Sequence, residues 1–326
     1  NTCFSLYCLI CLLKNIAINV LIAGIINAVN DAFSVPICIF KFISFISVFI
    51  FLFFIAVYLF FKKKLTCKNI MILLFVCGIL LRVTAVLANE IDTKQHDVGD
   101  FSIDTSVTYS YDNNKEYTLG DRGAGHSGYI EYIFHNMSLP DFDIRNIWSF
   151  YNPPLFHIIA AIWLRIAVLS SPNYVFACET IKIIPLYCSI VTMIFAYKLF
   201  RTLGLKKHGM IAASAIVTFS NAFVMLSYNV NNDPMATMFT VGSVLYCVKW
   251  YKKQNFKNII LSALLLGLGM MTKLSSAVVA PAIAFIFVYT FFKNKKYKKY
   301  LLQFASFLAV SVPLGLWYPV RNYIQF

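Results

Sequence analysis

Three groups of residues in this chain are of types that do chemistry. The first is His96-Asp97-Val98-Gly99-Asp100. A carboxylate such as Asp97 can take a proton from a hydroxyl or amine nucleophile, with His96 and Asp100 as its nearest competitors. The plain alternative for Asp97 is a solvated loop acid. The second group is His96, His126, His135 and His157, four of the five histidines in the chain. A metal site has these to draw on. The sequence nevertheless lacks HExxH or a tight ligand pair, so the pattern weighs against a divalent metal. The spacings His126–Glu131 and Glu131–His135 are helix-like and are the best on offer. The third group is cationic: Arg82 inside an apolar run, Lys273 between two short ones, and Arg321 closing the last. Charges so placed are costly in hydrocarbon and usually face a cavity or a partner; for Lys273, snorkelling to the interface is the plain alternative. Asp233, just before Pro234, reads as a helix N-cap that could also line an acceptor cleft.

The elements that must position these residues are membrane helices. Hydrophobic residues are 60% of the chain and charged residues 13%, about half the charge of a soluble domain, and mean hydropathy is +0.71. Apolar runs at 35–61, 70–88, 180–200, 210–228, 234–248, 258–271, 274–292 and 300–318 read as spans. Those near 234–271 are short, which suggests tilted or half helices meeting at a cavity. The segment before Ala28 is interrupted by Lys14, Asn15 and Asn19, and no cleavable signal peptide is evident. The nine cysteines lie mostly in apolar runs, so no disulfide framework is expected.

The net charge of +14 does not point to nucleic acid. Its lysines fall in short tracts between spans and form no basic stripe. The tracts are Lys62, Lys63, Lys64 and Lys68; Arg201, Lys206 and Lys207; Lys249, Lys252, Lys253 and Lys257; and Lys293, Lys295, Lys296, Lys298 and Lys299. With all four in the cytoplasm, the spans from Ile70 to Tyr318 alternate correctly. Residues 89–179 then form one large outer loop. Eleven of the fourteen acidic residues lie between Glu90 and Asp143, so the outer side carries a concentrated acidic surface. Within the loop, Gly123–Met137 predicts a short amphipathic helix. Pro153–Leu169 predicts a helix lying in the outer interface, with Pro153 and Pro154 at its first turn.

In order along the chain stand Arg82, the loop acid Asp97, Gly125-His126-Ser127-Gly128-Tyr129-Ile130, and Tyr151-Asn152-Pro153-Pro154-Leu155-Phe156-His157. Then come Asn232-Asp233, Gly267-Leu268-Gly269-Met270-Met271-Thr272-Lys273, and Trp317-Tyr318-Pro319-Val320-Arg321-Asn322. This arrangement resembles the polyprenyl-phosphate-sugar-dependent glycosyltransferases of the GT-C fold, and within them the protein O-mannosyltransferase and aminoarabinose transferase group (family 39-like, bacterial type). Two departures stand out: one acid, Asp97, where that group has an acidic pair, and Asn152 where it has His before the Pro pair.

The resemblance implies an all-α polytopic membrane protein with a GT-C-like bundle over 70–326, preceded by hydrophobic segments over 1–69. It implies an inverting transfer of a sugar from a polyprenyl-phosphate donor to a protein, lipid or glycan acceptor, outside a bacterial plasma membrane. It implies Asp97 as catalytic base and Lys273, Arg82 and Arg321 as lipid-phosphate ligands. His96, Asp100, His126, Tyr151, Pro153, Pro154, His157 and Asp233 would frame the site, and the lipid-linked sugar enters as substrate with no certain cofactor. Further spans are expected beyond Asn322, making this chain part of a longer protein. The rival reading is a multi-span transporter or flippase, which calls for polar groups near the bilayer midplane.

The lysine tracts generate a direct test of orientation. In a background without native cysteines, cysteines placed at Asp112 and Asp233 should react with an impermeant thiol reagent on intact cells, and one at Lys296 should not. Labelling at Lys296 but not Asp112 would invert the topology.

Overall fold

A computed structural model describes residues 55, 57–62, 66–89, 91, 101, 111–118, 120–170, 173–294 and 297–326. The chain forms two compact units, Asn1–Ile55 and Ala56–Phe326, and everything below concerns the second. The expected span over 35–61, most of the 1–69 segment, and the loop residues His96, Asp97 and Asp100 lie outside the described residues.

The unit is all-α among the described residues. Helix α1 (Cys67–Ala88) is capped by Thr66, whose hydroxyl accepts from Asn69 N at 3.3 Å. Helices α2 (Gly125–Asn136) and α3 (Leu155–Ser170) follow in the outer loop. Next, α4 (Tyr174–Glu179) runs through a 3-10 turn, Thr180–Lys182, into α5 (Ile183–Leu203). Beyond it come α6 (Lys207–Phe219), α7 (Asn221–Met225), α8 (Asp233–Lys253) and α9 (Phe256–Thr272). A second 3-10 stretch, Leu274–Val279, leads into α10 (Ala280–Asn294), and α11 (Tyr297–Gln325) ends the chain. Among the described residues, four segments are long and apolar enough to cross a membrane: Cys67–Ala88, Tyr174–Leu203, Leu274–Asn294 and Tyr297–Gln325. The protein is a multi-pass integral membrane protein.

Packing is heaviest where α8 meets α5 and α9, and where α9 meets α11. Small residues allow these approaches, as they do between membrane helices generally. Ser243 and Ser262 each donate a hydroxyl to the other's carbonyl at 2.9 Å. A Cβ on Gly267 would sit 2.8 Å from that of Leu314. The expected short spans are longer than predicted, because α8 extends to Asp233 and Lys253 and α9 begins at Phe256.

The contacts sort the helix ends as the lysine tracts require. At one end, Trp250 Nε1 donates to Gln303 at 3.0 Å and Tyr300 donates to Gln254. Lys252 there donates to the carbonyl of Thr202. At the other, Asn232 Nδ2 donates to Thr272 O at 2.9 Å, and Tyr318 reaches the outer loop. Helix α3 sits at that second end. Its 16 residues extend about 24 Å, short of the roughly 30 Å hydrocarbon layer. One face is buried through Phe156, Ala160, Ala161 and Leu164, while Ile162, Ile166 and Leu169 are exposed, as a helix lying against lipid would require.

Two expectations are corrected. Residues 210–228 do not form one span: the helix breaks at Ser220 between α6 and α7. Ser220 and Asn221 are of residue types disfavoured in a helix interior, because their side chains can compete with it for backbone bonds. A helix ending within the bundle leaves terminal carbonyls without partners, and Arg82 supplies the donors. Its Nη1 reaches Thr218 O at 3.0 Å, Nη2 reaches Val217 O at 3.4 Å, and Nε donates to Ser189 Oγ at 2.8 Å. Ser189 in turn donates to Phe223 O at 3.1 Å, tying α7 to α5. At 1% exposure, Arg82 is a pin for a broken helix and is not presented to a lipid phosphate. The second correction concerns α2, which is buried on every side from Gly125 to Ile133, because it lies between α3 and the loop segments instead of at a surface.

Arg82→Met should strand the Val217 and Thr218 carbonyls, each such loss costing about 1–3 kcal/mol. The unfolding midpoint in detergent should fall by roughly 5–10 °C, while the donor KM of the folded fraction stays unchanged. A raised donor KM with normal stability would restore Arg82 to the substrate site.

Candidate active site

The local fold of 117–128 is dictated by glycine. Tyr117 N donates to Asn146 O at 2.9 Å, and Gly125 N donates to Trp148 O at 3.0 Å. Between these ties Gly123 and Gly125 have φ of 80° and 75°, conformations that disfavour other residues. A Cβ on Gly128 would lie 2.2 Å from the carbonyl carbon of Gly123. The Gly-Ala-Gly-His-Ser-Gly run therefore fixes where His126 enters α2. Pro153 and Pro154 are buried ahead of α3. Pro154 O accepts from Ile158 N at 2.8 Å, so the Pro pair precedes the first turn and places His157 within it.

The two histidines meet. His126 Nδ1 lies 2.8 Å from His157 Nε2, and both are buried. His157 Nδ1 has no hydrogen-bond partner. Stranding an acceptor is tolerated better than stranding an N–H, so we assign the proton of His157 to Nε2, donated to His126. Burial, with the positive charge of Lys273 adding to it, pushes His126 down to about 3. His157 is held well below the ordinary imidazole range by burial and by His126. The pair is neutral.

Tyr129 stacks on His157 at 4.3 Å and on Phe150 at 4.5 Å. Its hydroxyl lies 2.9 Å from that of Tyr318, which donates to Phe150 O at 3.1 Å. With the single proton of Tyr318 committed to Phe150, Tyr129 is the donor between the tyrosines. This chain joins α11 to the outer loop. Beside it, Arg321 donates to Pro140 O at 2.6 Å and to Asn322 Oδ1 at 2.9 Å, with its guanidinium 5.9 Å from the Tyr318 ring.

Lys273 directly follows α9, and its ammonium lies 2.6 Å from Asp233 Oδ1. Asp233 is therefore not the N-cap expected from sequence: Asn232 holds that position without a side-chain bond, and the Asp233 carboxylate is turned to Lys273. It still sits in the first turn of α8, where negative charge complements the helix dipole.

Thus the structure brings His126, His157, Tyr129 and Tyr318 together, sets Arg321 against Tyr318, and pairs Lys273 with Asp233 close enough for its charge to act on His126. Tyr151 is 53% exposed at the rim, and Arg82 belongs to the helix break. Sequence reasoning quoted Tyr129 and Tyr318 within motifs but gave neither a role in the site; the position of Tyr129 one helical turn after His126 was the available signal. The suggested Glu131 spacings lead elsewhere, since its carboxylate accepts from Tyr174 OH at 2.8 Å. Among the described residues no three His, Cys, Asp or Glu side chains converge as metal ligands.

Residues 152–317, half of the chain, match the family of dolichyl-phosphate-mannose-protein mannosyltransferases. The chain belongs to this family. No curated protein and no solved structure matches it. The family segment contains Pro153, Pro154, His157, Asp233 and Lys273, while His126, Tyr129 and Arg321 contribute from outside it. Membership makes this mannosyltransferase-family chain a membrane glycosyltransferase.

The neutral histidines make stability pH-dependent. An imidazole in the unfolded chain titrates near 6.5, and these two are depressed when folded. Their contribution is thus intact above pH 6.5 and is lost as pH falls below it, at roughly 1.4 kcal/mol per pH unit for each. The melting temperature should drop between pH 7 and 5, and His126→Asn should flatten that slope. Equal slopes in both proteins would place the pH dependence elsewhere.

Proposed function

We propose that this protein transfers a sugar from a polyprenyl-phosphate carrier to an acceptor at the extracytoplasmic face, with inversion at the anomeric carbon. The observation that carries this reading is the position of Lys273. It is a partly exposed ammonium at a helix end within the family segment, on the bundle end opposite the lysine tracts.

In the proposed reaction the acceptor oxygen bonds to C1 of the sugar as the C1–O bond to phosphate breaks. The bridging oxygen keeps the electron pair, and the acceptor proton passes to Asp97. Lys273, with Arg321, offsets the charge that develops on the lipid phosphate, as placed cations do for such leaving groups. The neutral His126–His157 pair and Tyr129 brace the wall against which this happens. They add no positive charge to compete for the phosphate. A protein, lipid or glycan hydroxyl serves equally in this chemistry. A transporter reading finds less support, because the one arginine deep in a span is sealed against backbone carbonyls.

The test is single-turnover transfer of radiolabelled sugar from a polyprenyl-phosphate donor with full-length purified protein. Asp97→Asn keeps the shape but removes the basicity, so transfer should fall by about 10²–10⁴-fold with donor binding retained. His96→Ala and Asp100→Asn should each lower it far less. Normal transfer by Asp97→Asn, with Asp100→Asn inactive, would move the base to Asp100. Activity in both would end the assignment of a base to this loop.

A further inference from the structure

The pairing of Lys273 with Asp233 raises a question that phosphate binding alone does not answer: why a cation meant for a lipid phosphate already carries a carboxylate. The two side chains are 32% and 37% exposed, with Nζ 2.6 Å from Oδ1. Ion pairs this exposed contribute little to stability, typically below about 1 kcal/mol. Nor is the pair needed to hold α8 to α9. The amide of Asn232 already donates to Thr272 O at 2.9 Å, one residue before each partner. That second tie fixes the Asp233 backbone beside Lys273 whether or not the charges touch. Each charge is also favoured by its own helix end: Asp233 lies in the first turn of α8 and Lys273 at the C-terminus of α9. His126, which also senses the charge of Lys273, is neutral. Asp233 is thus an anchored negative charge that can release the ammonium without leaving its place.

We propose that Asp233 is a specificity-determining residue that discriminates by phosphate charge, admitting the singly charged donor and speeding departure of the more highly charged product. This rests on Lys273 being the lipid-phosphate cation. The donor is a phosphodiester with one negative charge. When its C1–O bond breaks, the bridging oxygen keeps the electron pair, so the product is a monoester carrying about 1.5 to 2 negative charges near pH 7. Both must share Lys273 with the fixed carboxylate of Asp233, and the repulsion grows with the charge on the phosphate. Asp233 therefore weakens the product more than the donor. Without it, Lys273 would hold best the species that the enzyme must release.

The experiment compares two probes that differ in phosphate charge and by one methyl group: a short-chain polyprenyl phosphate and its monomethyl ester. Each is titrated onto full-length protein in nanodiscs at low ionic strength. Asp233→Asn should tighten the monoester roughly tenfold and the methyl ester roughly threefold, shifting their ratio. Asp233→Glu should keep the wild-type ratio. Should Asp233→Asn fail to fold, Asp233→Ser, equally suited to a helix start, carries the same comparison. A purely structural pair predicts a lower melting temperature with the ratio unchanged, and that result, or weaker binding of both probes, would overturn the proposal. Lys273→Ala separates this from the underlying reading. It should weaken both probes; unchanged affinity for both would remove Lys273 from lipid-phosphate binding, whereas weakening without an Asp233 effect would remove only the role of Asp233.

Discussion

Inside a bilayer no water is present to satisfy backbone N–H and C=O groups, so each must find its partner within the protein. The architecture of this chain follows from where that requirement is hardest to meet. Along continuous helices it is met automatically. At the break between α6 and α7 it is not, and a guanidinium is buried there because its fork of donors serves Val217, Thr218 and, through Ser189, α5 at once. At the C-terminal end of α1 the same need is met by Lys182, which donates to Val86 and Asn89 carbonyls and pairs with Glu179. The Glu179 carboxylate also accepts from Ile91 N at 2.6 Å. The buried cations Arg82 and Lys182 therefore both serve helix ends.

The same constraint separates structural cations from those available for chemistry. Arg82 and Lys182 are 1% and 4% exposed and are held by backbone carbonyls, with the Ser189 hydroxyl on Arg82 and the Glu179 carboxylate on Lys182 completing their shells. Lys273 is about a third exposed, and its bond is to a carboxylate, a partner that a phosphate resembles and can displace. Arg321 lies between these cases, with one arm on Pro140 O and the other on Asn322. The difference is one of solvation: a cation that must meet a charged lipid head group has to remain near water, whereas one that caps carbonyls is most effective away from it.

The outer layer is organised differently, by aromatic packing over a glycine-determined turn. Tyr129, Phe150 and His157 stack in sequence, and the hydroxyls of Tyr129 and Tyr318 join that stack to the last helix. Because α11 also packs on α9, the wall of the candidate site and the helix preceding Lys273 are joined through one helix. Neutral histidines suit this role, since a charged imidazole in so buried a place would be costly.

The sequence by itself determined the class and the place of most apolar helices, because hydropathy is set by the solvent and not by neighbours in the fold. It also marked His126, His157, Asp233 and Lys273 as residues worth attention. It did not show that the histidines pair, that Asp233 turns from its helix to Lys273, or that Arg82 pins a break at Ser220. Each of those depends on contacts between residues 31 to 136 positions apart, which no local pattern encodes. The break itself was hidden because 210–228 is apolar enough to read as one span. Only the presence of a guanidinium at its carbonyls makes the interrupted helix tolerable in hydrocarbon. Composition specified which side chains enter the membrane, and tertiary packing decided which of them are satisfied there.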